Sequence, residues 1–227
     1  MSALDLLPLA ILGAVLGLDV VSFPQAMISR PIVASTAAGA LLGQPAAGLL
    51  MGAVLECFAI ETLPFGASRY PEWGSAAVVG GALFAGTDGS RAGALLVSAL
   101  CALATAWVGG HSMFYLRRLN AMWARSRHEA VASGSSRVVV GLQLYGLTAD
   151  LLRGLALTWG ALLLLRPFQR AMLDGYGVDA RVSRAVVVGT AATVAAGAVW
   201  KLFHSVPAAR WLFIGGLVAG VALLVSR

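Results

Sequence analysis

The chain has 227 residues, of which 59% are hydrophobic and 11% charged, with a formal net charge of +6 and a mean hydropathy of +0.85. A soluble domain carries roughly 25% charged residues to cover its surface, so this composition excludes an ordinary soluble protein and asks for lipid around it. The positive balance is arginine gathered between apolar runs, where it orients membrane helices, so no nucleic-acid partner is expected.

The expected class is an all-α integral membrane protein, a polytopic helical bundle in a single domain over 1–227. The 27 glycines suit it, because small residues let helices approach closely in lipid. The first residues, Met1-Ser2-Ala3-Leu4-Asp5, are acidic where a secretory signal is basic, so the first apolar segment is expected to stay in the mature chain. The apolar runs Leu6–Val21, Ile32–Leu42, Ala46–Ile60 and Ser75–Ala85 all fall short of the roughly 20 residues a span needs. They are broken at Ser22-Phe23-Pro24-Gln25, Gly43-Gln44-Pro45 and Pro64-Phe65-Gly66. Such breaks free backbone groups that lipid cannot satisfy, so they must lie within protein or line water. Residues 1–90 therefore read as short re-entrant or discontinuous helices around a substrate region. Ordinary kinked spans are the competing reading.

A span follows over 91–116. Residues 117–137 read as a loop, with Arg117, Arg118, Arg125, Arg127 and Arg137 against Glu129, and the positive-inside rule puts it in the cytoplasm. Further spans fill 138–227, from Val138–Leu165, Ala185–Trp200 and Trp211–Val225, with a second arginine-bearing loop over Arg166–Arg184. A break near Gly146 would reverse the orientation of that half.

Ionisable residues inside apolar runs are costly and mark candidate sites, at about 2.5–3.5 kcal/mol each on insertion scales. Glu56 stands in Leu55-Glu56-Cys57-Phe58 with no basic residue close by. It is either a protonated or locally bonded helix tie or a carboxylate that accepts bonds from a polyol. Gln25, Ser29 and Arg30 precede Pro31, which suits a helix start. Arg30 is then an interfacial anchor or one half of an ion pair, and Asp19 is a possible partner. Glu61, Arg69 and Glu72 flank a polar, aromatic stretch whose Tyr70 and Trp73 either stack on a sugar ring or belong to an interface belt. The candidate substrate-binding set is Glu56, Gln25, Arg30, Glu61, Arg69 and Glu72. Asp150 and Arg153, three apart, read as an intrahelical pair. Cys57 and Cys101 have no disulfide or metal spacing, the histidines are scattered, and no phosphate-binding glycine loop occurs. No catalytic residue, metal or cofactor is expected, so energy must come from an ion gradient or a partner.

Ser29-Arg30-Pro31-Ile32-Val33-Ala34, then Leu41-Leu42-Gly43, then Gly48-Leu49-Leu50-Met51-Gly52-Ala53-Val54-Leu55-Glu56 resembles the IIC subunit of the mannose–fructose–sorbose family of sugar phosphotransferase systems. Gly66-Ala67…Pro71-Glu72 is similar to a Gly-Ala…Pro-Asp stretch of that family, whereas Pro24-Gln25 stands where the mannose branch has an acidic pair. The resemblance implies a permease without catalytic residues of its own. A IID membrane subunit would share the sugar path, and soluble IIA and IIB would carry the phosphoryl group. Trimers of IIC–IID pairs in the bacterial inner membrane are also implied. Two alternatives stand beside it: an ion-coupled transporter of a small polar solute, and a non-transporting receptor or scaffold derived from the permease.

Overall fold

The computed structural model describes residues 3–19, 22–60, 69–87, 91–203 and 208–225. A 3-10 turn at Leu4–Leu6 leads into α1 (Leu7–Asp19), then α2 (Pro31–Leu41), α3 (Pro45–Ala59), α4 (Trp73–Ala85) and α5 (Ala94–Ser126). After these come α6 (His128–Ala132), α7 (Ser136–Asp174), α8 (Ala180–Phe203) and α9 (Ala209–Val225). Among the described residues, three helices are long and apolar enough to cross a membrane: α5, α7 and α8 over Ala180–Lys201. The chain is a polytopic helical membrane protein in which four helices of fewer than 18 residues, α1 to α4, precede α5; the break expected at Pro64-Phe65-Gly66 lies outside the described residues.

The core is built on α4. Every residue from Trp73 to Ala85 is buried, as expected of a helix apolar on all sides. It packs against α1, α2, α3, α5 and α7. Both of its ends are buried too, and a buried helix end needs partners for its orphan backbone groups. Glu72 supplies one as N-cap, accepting from the Ser75 amide at 3.0 Å. Gln169 of α7, itself buried, donates to the Leu83 carbonyl at 3.1 Å and to Ser98 Oγ at 2.7 Å.

Around this centre, small residues set the packing distance. α2 and α3 form an antiparallel hairpin of 11 and 15 residues, each too short to span. Both begin on a proline, Pro31 and Pro45, whose fixed φ suits the first helical position. Gly43 makes the turn at φ 73°, a conformation that disfavours a side chain. The helices then touch backbone to backbone, since a Cβ on Gly39 would lie 2.8 Å from Gly48 Cα. α1 lies antiparallel along α7 in the same way: a side chain on Gly13 would collide with Thr158, and one on Gly154 would come within 3.0 Å of Ala14 Cα.

Two segments differ from their sequence reading. Residues 117–137 are mostly helix: α5 continues through Arg117, Arg118 and Arg125 to Ser126, and α6 follows directly. The Arg166–Arg184 loop shrinks likewise, because α7 runs to Asp174 and α8 starts at Ala180. Hydropathy reports where lipid ends, whereas arginine is a good helix former and lets a helix run on into water. At 1.5 Å per residue, α5 and α7 extend about 50 and 58 Å, well beyond a hydrocarbon core of about 30 Å. No break occurs at Gly146, so Val138–Leu165 lies in one continuous helix.

Candidate functional site

Among the described residues, two clusters of charged side chains lie within the apolar body. The first gathers at the entry to the α2–α3 hairpin. Arg30, the residue before α2, donates through Nε to Glu56 Oε1 at 2.6 Å and pairs with the same oxygen through its terminal nitrogen. The other oxygen of Glu56 accepts from the Ile32 amide at 3.1 Å, at the N-terminus of α2, where the helix dipole favours an anion. Asp19, at the end of α1, holds the preceding loop: it accepts from the Ala26 amide at 2.6 Å, the Ser29 amide at 2.9 Å and Ser29 Oγ at 2.8 Å. These bonds fold a segment in which Gln25 and Met27 take φ of 59° and 61°, a region unfavourable to any residue but glycine. Every oxygen of Glu56 and Asp19 is engaged.

The second cluster sits where α1, α4, α5 and α7 meet. Asp150 and Arg153 of α7 pair at 2.8 Å with side chains only 3% and 9% exposed. Ser22, just after α1, donates to the second Asp150 oxygen at 2.8 Å, and Arg153 reaches Ser112 Oγ of α5 at 3.2 Å. Glu72, 1% exposed, lies close by: a Cβ on Gly17 would be 3.5 Å from Glu72 Oε1 and 3.6 Å from a terminal nitrogen of Arg153. This cluster is unfinished. Among the described residues, nothing meets Glu72 Oε2, that Arg153 Nη2 or Asn120 Oδ1, although all three atoms are buried. An unmet buried polar atom costs about 1–3 kcal/mol, which sets these three apart from the satisfied first cluster.

Next to this cluster, a cleft of about 440 Å³ opens between α5 and α7. Buried Asp150 closes its inner end and exposed Gln143 stands at its outer wall, with Arg117, Asn120 and Trp123 between them. Arg117 also pairs with the Tyr70 hydroxyl, its guanidinium 4.8 Å from the centre of the Tyr70 ring. Gly146 borders the cleft opposite Asn120, and a Cβ there would lie 3.5 Å from the Asn120 amide nitrogen.

Residues 3–175 match the family described as "PTS system sorbose-specific iic component". The chain belongs to that family. The match takes in both polar clusters and the cleft and ends just after α7, leaving α8 and α9 beyond it. A comparison with curated protein sequences finds no match. As a sorbose-type IIC component, the protein is a membrane permease component of the phosphotransferase system.

Placed in this IIC chain, the sequence candidates divide. Glu56 and Arg30 come together as an ion pair, so the partner of Arg30 is Glu56, and Asp19 serves the loop backbone instead. Gln25 lies in that loop, exposed at its left-handed position. Arg69 is exposed, its guanidinium 4.3 Å from the centre of the Phe114 ring. Glu72 belongs to the second cluster, as the cap of α4. Glu61 lies outside the described residues. Trp73 is buried in the core as the first residue of α4, where an interface-belt aromatic would be exposed. The Asp150–Arg153 pair is present as read, but its ties to Ser22 and Ser112 were not foreseen. A signal for the cleft did exist: Asn120 and Gln143 are amides flanking the basic segment, and Asp150 is an acid inside an apolar run.

Proposed function

We propose that this IIC chain forms a sugar translocation path together with a IID membrane subunit, and that IIB phosphorylates the sugar at the cytoplasmic face. Soluble IIA supplies IIB, and the assembly is a trimer of IIC–IID pairs in the bacterial inner membrane. Family membership supports the permease role. The observation that carries the shared path is the open cleft between α5 and α7, where Asp150, Arg117, Asn120 and Gln143 stand among apolar side chains. A second membrane subunit seated there would close the path. Arg117, Arg118 and Arg125 lie at the same end of α5, and the positive-inside rule places that end in the cytoplasm, where a soluble IIB would meet it.

Reconstitution tests the proposal. Vesicles holding the chain with its IID partner should take up sugar only when phosphorylated IIB is supplied, and vesicles holding the chain alone should not. Uptake by the chain alone, driven by a proton or sodium gradient, would overturn it in favour of an ion-coupled transporter.

A further inference from the structure

We infer that the cleft between α5 and α7 is where this chain holds its sugar, with Asp150, Asn120 and Gln143 reading the hydroxyls of a neutral polyol. The inference rests on the permease reading above and moves the substrate site away from Glu56. Chemistry and space both support it. At about 440 Å³, the cleft falls within the roughly 300–1,000 Å³ usual for small-molecule sites. Its inner wall is a carboxylate that accepts one bond at each oxygen, from Ser22 and from Arg153, and each oxygen keeps a lone pair for another donor. Asn120 Oδ1 is a buried acceptor that no described residue meets. Gln143 adds an amide that both donates and accepts, and Trp123 adds a ring wall suited to the C–H face of a sugar.

Charge narrows the class. Arg153 already neutralises Asp150, so a cationic amine finds no free carboxylate. A hydroxyl is the group that both donates to Asp150 and Asn120 and accepts from Gln143. The Arg30–Glu56 pair lies outside this cleft, and Glu56 Oε1 already accepts two bonds from Arg30 while Oε2 accepts the Ile32 amide. The cleft also lies toward the arginine-rich end of α5, so a sugar in it sits near the face where a phosphoryl donor arrives.

The test uses the complex of this chain with IID in vesicles, with phosphorylated IIB supplied and labelled sorbose, mannose and fructose as probes. Asn120→Ala and Gln143→Ala should each raise KM about tenfold, the effect of losing one hydrogen bond of about 1.4 kcal/mol, with complex yield unchanged. Gly146→Leu, which fills the cleft, should abolish uptake while the complex still assembles. A binding measurement independent of phosphorylation accompanies these. Gln143→Cys should react with a maleimide and be protected by the transported sugar, whereas Val178→Cys, in the α7–α8 connection, should react regardless of sugar. Unchanged KM in both alanine variants with no protection at 143 would overturn the site. Loss of IID association in those variants, with KM unchanged in what assembles, would overturn it too and make the cleft a subunit contact. Wild-type vesicles that show no IIB-dependent uptake, yet show sugar protection at 143, would instead sink the permease reading and leave the site standing.

Discussion

The two polar clusters teach by contrast. Both bury charge in an apolar body, and both tie distant parts of the chain together. Around Glu56 and Asp19 the bonding is complete: a guanidinium, four backbone or hydroxyl donors and two carboxylates satisfy one another. Around Asp150 and Glu72 it is not: Glu72 Oε2, Arg153 Nη2 and Asn120 Oδ1 are unmet among the described residues, and Asn120 and Asp150 line the cleft. A finished network holds a fold together, since removing any member leaves a cost behind. An unfinished one beside a cleft carries a standing penalty, and proteins keep such penalties mainly where something else supplies the missing partner.

The sharpest way to break this comparison is at α7. Asp150→Ala leaves Arg153 as a buried charge without its partner, which costs about 3–5 kcal/mol. The expected outcome is near-complete loss of folded protein on size exclusion in detergent. The double replacement Asp150→Leu with Arg153→Leu should recover yield but not sugar uptake. Recovery of uptake in the double variant would make this pair as purely structural as the first.

Glu56→Gln comes next. Its pair is half-buried, with side chains 26% and 21% exposed, so the loss falls between the surface and buried limits, on the order of 2 kcal/mol. Thermal unfolding should shift down while sugar affinity in the surviving complex stays as in the wild type. A tenfold loss of affinity with normal yield would restore Glu56 as a sugar ligand and undo the contrast.

A smaller effect is expected at Asp19. Asp19→Asn keeps one acceptor oxygen but presents an amide to a donor, costing about 1–2 kcal/mol and loosening the 22–30 loop. Faster proteolysis within that loop is the readout, and unchanged cleavage would show that the loop is held from elsewhere. The smallest change is Met27→Gly. Met27 is exposed and at φ 61°, so glycine relieves an unfavourable conformation and should alter stability by less than about 1 kcal/mol, in the favourable direction. A clear drop in melting temperature would mean that the Met27 side chain itself makes a contact that matters.

The α2–α3 hairpin is legible in the sequence, because its signals are local. Pro31 and Pro45 mark helix starts, Gly43 marks the turn, and the Gly48-x-x-x-Gly52-x-x-x-Glu56 spacing places small residues along one helix face. The site was less legible for an equally plain reason. Ser22 and Asp150 are 128 positions apart and Tyr70 and Arg117 are 47 apart, and nothing in the local pattern around either member announces the other. Trp73 misled because an aromatic beside polar residues looks the same whether the helix it opens lies at an interface or at the centre of the bundle.

The sequence by itself determined the class, the places where helices start and break, and the family, since all three follow from hydropathy, backbone stereochemistry and short motifs that act within a few residues. Only the tertiary structure decided where each helix ends in water, which acid takes which base, and which polar group is left facing open space. Those outcomes depend on how α1, α4, α5 and α7 pack together, and burial and pairing are properties of that packing, not of any one stretch of chain.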